Sequence, residues 1–185
     1  MNEPLNIPNK LTYMRIAMIP LFVISFYLPG YYMGWVTAGI FCLAAFTDWL
    51  DGYLARKLQQ TSRFGAFLDP VADKLLISTA LVLLTSEYST IWVTLPAVII
   101  VGREILISAL REWMAEVGKQ TSVSVSYLGK LKTSFQMVSI VLLLSQPVDW
   151  SQPLVWLGVV LMYLAVILTL VSMFSYLNAA MKVLD

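Results

Sequence analysis

The sequence predicts an all-α integral membrane protein: a bundle of six transmembrane helices with both termini in the cytoplasm. Three observations carry that expectation. Of the 185 residues, 59% are hydrophobic and only 12% charged, whereas a soluble domain carries roughly a quarter charged residues. The apolar residues fall into six runs, most of them close to the roughly 20 residues that a helix needs to cross the hydrocarbon core. The basic residues are segregated. The loops after the first, third and fifth runs (29–33, 85–90 and 146–153) hold no Lys or Arg, so all 12 lie on the opposite side. Lys and Arg mark the cytoplasmic side, and one misplaced span would scatter them.

In chain order, residues 1–10 form a short polar lead-in with Pro4 and Pro8. The first run, 11–28, ends at Pro29-Gly30 with no small-residue cleavage site after it, which predicts a retained span rather than a signal peptide. The second, 34–58, carries Asp48, Asp51, Arg56 and Lys57 in its last turns. Residues 57–64 turn the chain. Asp69 before Pro70 then predicts a helix start, opening the third run, 70–84. The fourth, 91–113, holds Arg103, Glu104 and Arg111 in its second half. The fifth and sixth cover 127–144 and 154–177. The connections between runs are short, so sequential helices should be antiparallel neighbours. No internal repeat or long linker divides the chain, and a single membrane domain over 1–185 is expected. Trp35, Trp92, Trp150 and Trp156 fall near the outer ends of spans, where aromatic belts form.

Composition also excludes chemistries. The net charge of +1 offers no bulk attraction for nucleic acid. Cys42 is the single cysteine, so neither a disulfide framework nor a cysteine zinc site is available. Histidine is absent, which removes the commonest general base and every Ser-His triad.

What remains is one dense polar stretch: Asp48-x-x-Asp51-Gly52-x-x-Ala55-Arg56, eight residues, then Gly65-x-x-x-Asp69-x-x-x-Asp73. Charge at the edge of a membrane helix is costly. Asp48 and Asp51 are three apart and share a helix face; Asp69 and Asp73, four apart, share another. Two antiparallel helices can thus aim four carboxylates at one spot. Gly52 and Ala55 leave room for a ligand or for a packed helix. Four carboxylates in one site need cations or protons between them, and all-oxygen ligation favours Mg²⁺, Mn²⁺ or Ca²⁺ over zinc. A pair of such ions can clamp both sides of a phosphorus centre, with arginines serving the phosphates. Any two of these carboxylates alone would read equally well as interfacial charges in loose pairs; four at helix-matched spacing with two glycines do not. A cation carrier would want its acids near the bilayer midplane, not at one edge. Arg103, Arg111, Lys130 and Lys132 gather toward the cytoplasmic side of the fourth and fifth spans, a cluster that reads either as a site for an anionic phosphate or as helix-end anchors that snorkel to the interface. Glu104 and Glu112 read as structural partners of those bases.

Asp48, Asp51, Gly52, Ala55, Arg56, Gly65, Asp69 and Asp73 match the signature of the CDP-alcohol phosphotransferases without a gap or exchange, and the chain resembles that family along most of its length. Residues 6–12 with Arg15, 64–74, 103–116 and 129–133 look like the bacterial members that take a glycerol phosphate acceptor. The resemblance implies transfer of a phosphatidyl group from CDP-diacylglycerol to sn-glycerol 3-phosphate, with release of CMP. It implies two divalent cations, Mg²⁺ or Mn²⁺, held by Asp48, Asp51, Asp69 and Asp73, with Asp73 also the base for the attacking hydroxyl. It assigns Gly52, Ala55, Arg56 and Gly65 to the CDP-diacylglycerol site, with Thr12 and Arg15 nearby. It further implies a homodimer in the bacterial cytoplasmic membrane, its site facing the cytoplasm. With no histidine, a carboxylate is also the base that the composition leaves available. Other acceptors (inositol phosphate, serine or a lipid alcohol) and a non-catalytic metal-binding carrier remain open on the residues alone.

Overall fold

The computed structural model describes residues 7–58, 63–116 and 127–184. Among these, every element is a helix: α1 (Ile7–Tyr27), α2 (Met33–Leu58), α3 (Arg63–Tyr88), α4 (Ile91–Glu116), α5 (Tyr127–Ser145) and α6 (Pro153–Leu184). Three segments are long and apolar enough to cross a membrane: Met33–Leu54, Ile91–Glu116 and Pro153–Phe174. Leu11–Tyr27 and Leu131–Ser145 are shorter apolar helices.

Several boundaries differ from the sequence expectation: α3, α4 and α6 run on to Tyr88, Glu116 and Leu184, and two helix starts differ at prolines. The polar lead-in is helical from Ile7, because Pro8 falls in the first turn, where its missing N–H has no helical partner to lose. Asp69-Pro70 does not start a helix. α3 begins at Arg63 and Pro70 lies inside it. A proline removes one backbone bond and disfavours the α conformation just before it, but it does not terminate a helix whose other turns are made. The carboxylate at position 69 therefore sits within a continuous helix, not at its cap.

The chain divides into two compact units. In the first (1–84 with 144–147), α1 packs on α2. Phe22 and Phe41 are fully or almost fully buried, with ring centroids 5.9 Å apart, and Ala38 and Ala44 share the buried stripe of α2. Gly34 lies against the end of α5: a Cβ there would stand 2.9 Å from the Leu144 carbonyl oxygen. The second unit (85–143 with 148–185) is built on α4 against α6. Val93, Pro96, Ala97, Ile100 and Ile107 form one stripe of α4, and Val155, Val159, Met162, Ala165 and Val166 form one of α6. These repeat at the three- and four-residue steps of a helix face. Ser139 on α5 donates to the Gly158 carbonyl at 2.7 Å. A Cβ at Gly158 would stand 2.9 Å from the Leu143 side chain.

The opposite faces are apolar as well. Trp92, Leu95, Val98, Ile105 and Leu106 on α4 are exposed, as are Trp156, Leu157, Val160 and Ile167 on α6. Helices apolar all round suit a lipid solvent. At the ends, Tyr88 and Trp150 meet edge-on at 5.8 Å, and Trp150 lies 5.2 Å from Trp156. The Trp156 indole N–H donates to the Trp150 carbonyl at 2.9 Å. Asp149 accepts from the Ser151 amide at 2.9 Å and from the Gln152 side chain at 3.3 Å, bracing the turn into Pro153 at the head of α6.

Candidate active site

The first unit carries the acidic cluster. The last turns of α2 bring Asp48 and Asp51 onto one face, and α3 supplies Asp69. One oxygen from each lies within 4.8 Å of the others. Asp51 is buried; Asp48 and Asp69 are partly open. Just before them, Thr47 spends its hydroxyl on the Ala44 carbonyl at 2.7 Å, a bond internal to α2.

Arg15, fully buried on α1, joins the three carboxylates. Its Nη1 lies 2.6 Å from Asp48 Oδ1 and 3.1 Å from Asp69 Oδ1, and its Nη2 pairs with Asp51 Oδ2. Thr12, one turn earlier, donates its hydroxyl toward Asp51 Oδ2 at 3.4 Å. One face of α1 thus serves the cluster. The sequence assigned Thr12 and Arg15 to the nucleotide lipid through resemblance; their grip on the aspartates was missed. A signal was available, because an arginine inside an apolar run needs an anion beside it, and three-residue spacing puts Thr12 on the same face.

The donor set fits a hard divalent ion. It is all carboxylate oxygen, and ligands at about 2.1 Å from Mg²⁺ stand roughly 3–4 Å from one another, a spread that these three oxygens permit. Asp73, one turn past Asp69 on α3 and half-buried, is not part of the three-oxygen group and has interactions of its own. Among the described residues nothing lies within 4 Å of where a Cβ on Gly52 would stand, which leaves open space next to Asp51. Gly65 is half-buried in the first turn of α3. The side chains of Ala55, Arg56 and Lys130 lie outside the described residues, as does the segment 1–6.

The second unit carries a cluster of its own residues. Glu104 Oε1 accepts from Arg103 Nη1 at 2.6 Å and from Lys132 Nζ at 2.9 Å, which ties α4 to α5. Arg103 Nη2 donates to Ser172 on α6 at 3.1 Å. Lys132 is buried and Arg103 nearly so, while Arg111 is exposed. The expectation that Glu104 partners these bases matches this geometry. Ser172 was missed, a small polar residue in a strongly apolar run.

Described elements that are all helices, membrane-length apolar segments, a carboxylate cluster fit for a hard cation and a buried cation cluster are the makings of a lipid-embedded phosphate-handling enzyme. The comparisons with known proteins make the class specific. A sequence model described as CDP-alcohol phosphatidyltransferase matches residues 5–171. The chain belongs to this family of membrane enzymes. It is 55% identical over 175 residues, 95% of this chain and 94% of the other, to a protein of Salmonella typhimurium named CDP-diacylglycerol--glycerol-3-phosphate 3-phosphatidyltransferase. Proteins of the same name from Escherichia coli K12 and Shigella flexneri are 54% identical over the same extent.

Proposed function

We infer that the chain transfers the phosphatidyl group of CDP-diacylglycerol to sn-glycerol 3-phosphate, giving phosphatidylglycerophosphate and CMP, a step in making anionic phospholipid. The observation that carries this reading is the cluster of Asp48, Asp51 and Asp69 in a chain more than half identical to proteins named for that reaction.

The chemistry follows from what the residues can do. A P–O bond forms to the acceptor hydroxyl oxygen, and the pyrophosphate bond to the departing CMP breaks. Asp73 takes the hydroxyl proton; carboxylates are weak bases, so the transfer needs a hydroxyl made more acidic or a carboxylate made more basic by its crowded neighbours. Asp48, Asp51 and Asp69, with Asp73, hold the divalent cations, two of Mg²⁺ or Mn²⁺. When bound, these ions neutralise the phosphates and acidify the hydroxyl. Thr12, Arg15, Gly52, Ala55, Arg56 and Gly65 receive CDP-diacylglycerol, the open space beside Gly52 giving its headgroup an approach. Arg103, Arg111, Lys130 and Lys132 bind the acceptor phosphate. The acyl tails stay in lipid while the headgroup meets a water-soluble acceptor. All six helices span, both termini lie in the cytoplasm, and the enzyme works as a homodimer in the bacterial inner membrane with its site facing the cytoplasm.

The test is CMP release by the purified protein with CDP-diacylglycerol, Mg²⁺ and a panel of acceptors. Glycerol 3-phosphate should be the preferred acceptor, and chelation of the metal should abolish turnover. Release of CMP with inositol phosphate or serine but not with glycerol 3-phosphate would leave the class standing and remove the acceptor. No CMP with any acceptor would remove both.

A further inference from the structure

We propose that Glu104 is the positioning residue for the acceptor's phosphate: one of its carboxylate oxygens clamps Arg103 and Lys132 into a fixed pair, and that pair takes a phosphate monoester. The proposal rests on the reading of this cluster as the acceptor site.

The two cations come from different helices and bond to the same oxygen, Glu104 Oε1, at 2.6 and 2.9 Å. One phosphate group can therefore touch both. The side chains of Arg103 and Lys132 are only 10% and 4% exposed, so little water screens their mutual repulsion. An anion must hold them together, and Glu104 does so from the protein side.

Donors remain to be used. An ammonium has three and a guanidinium five. Lys132 is shown donating once, to Glu104. Arg103 donates through Nη1 to Glu104 and through Nη2 to Ser172, which fixes the plane of the guanidinium. Its Nε is buried and has no hydrogen-bond partner among the described residues. Buried donors are rarely left unpaired, and a guanidinium edge suits phosphate oxygens. Arg111, further along α4, adds positive charge to the surroundings of Lys132. Arg103 and Lys132 against the single Glu104 carboxylate leave an excess of positive charge, which favours a phosphate monoester, a dianion above its second pKa of about 6.

Glu104 has two opposed effects on such a ligand, and their difference makes the proposal testable. As a bare negative charge it repels the dianion; as a clamp it arranges the dianion's donors. In Glu104→Gln the charge goes and the shape stays. We expect the KM for glycerol 3-phosphate to rise about tenfold, with kcat largely kept and the KM for CDP-diacylglycerol within about twofold, the pattern of lost binding common to ground and transition states. An unchanged or lower KM for glycerol 3-phosphate would overturn the proposal. Glu104→Asp keeps the charge and shortens the reach; it too should raise that KM, and serves where the Gln variant does not fold. Arg111→Ala, an exposed position, tests the underlying acceptor reading separately. If this variant leaves the acceptor KM unmoved, the acceptor reading fails. If it raises that KM while both Glu104 variants do not, only the clamp fails.

Discussion

Arg15 and Asp73 carry the sharpest expectations at the level of single residues. Arg15 is fully buried among three aspartates, and removing one partner from a buried ionic group typically costs about 3–5 kcal/mol. Arg15→Ala should therefore lower the melting temperature in metal-free buffer, and Mg²⁺ should restore part of the loss by supplying another cation. Thermal unfolding with and without Mg²⁺ measures this; equal responses to Mg²⁺ in wild type and variant would show that the guanidinium does not compensate the cluster. Asp73→Asn should abolish CMP release while the protein still inserts and folds, and near-normal turnover would remove Asp73 as base. The aspartates were legible in sequence because helix periodicity fixes which residues share a face. The use of Arg15 was not, because periodicity within α1 says nothing about which neighbouring helix it meets.

The helix ends give their own expectations. Ser89 follows α3 with a φ of 45°, its amide bonded to the Thr85 carbonyl at 3.1 Å. Left-handed backbone costs an L-residue roughly 1–2 kcal/mol relative to glycine. Ser89→Gly should stabilise the protein by somewhat less than that, since it also gives up the hydroxyl bond to Ser86; thermal inactivation in detergent reads the change. Asp149 is held below the ordinary carboxylate range by hydrogen bonds from Ser151, then Gln152. Its folded pKa is depressed, so its stabilising contribution is present above the unfolded value of about 4 and fades as pH falls through the folded value. The melting-temperature gap between wild type and Asp149→Ala should therefore be full at pH 7 and close under strongly acidic conditions. The Pro29-Gly30 and 146–153 breaks were readable because turn residues announce themselves. The start of α3 was not: proline marks a boundary only when the preceding residue leaves the helix, and Asp69 stays in it.

Across the whole molecule, the class of protein was legible because lipid leaves a chain few choices: apolar runs become helices. The acceptor cluster was partly legible. Its cations could be counted, but the Glu104 bridge joins residues 28 apart, and no local pattern encodes it. Ser139 bonding to Gly158 is another such long-range join. Gly158→Leu should spread α5 from α6 and lower thermal stability by several degrees, as measured on detergent-solubilised protein. The buried Arg15 has a further consequence, for the order of biosynthesis. An α1 that enters the bilayer ahead of α2 does so with its guanidinium unpaired, since Asp48 and Asp51 lie on the following helix. The first hydrophobic segment should settle stably only once its hairpin partner arrives. Released chains truncated before residue 48 should therefore integrate less efficiently than released chains that reach residue 58, and Arg15→Leu should erase that dependence on length.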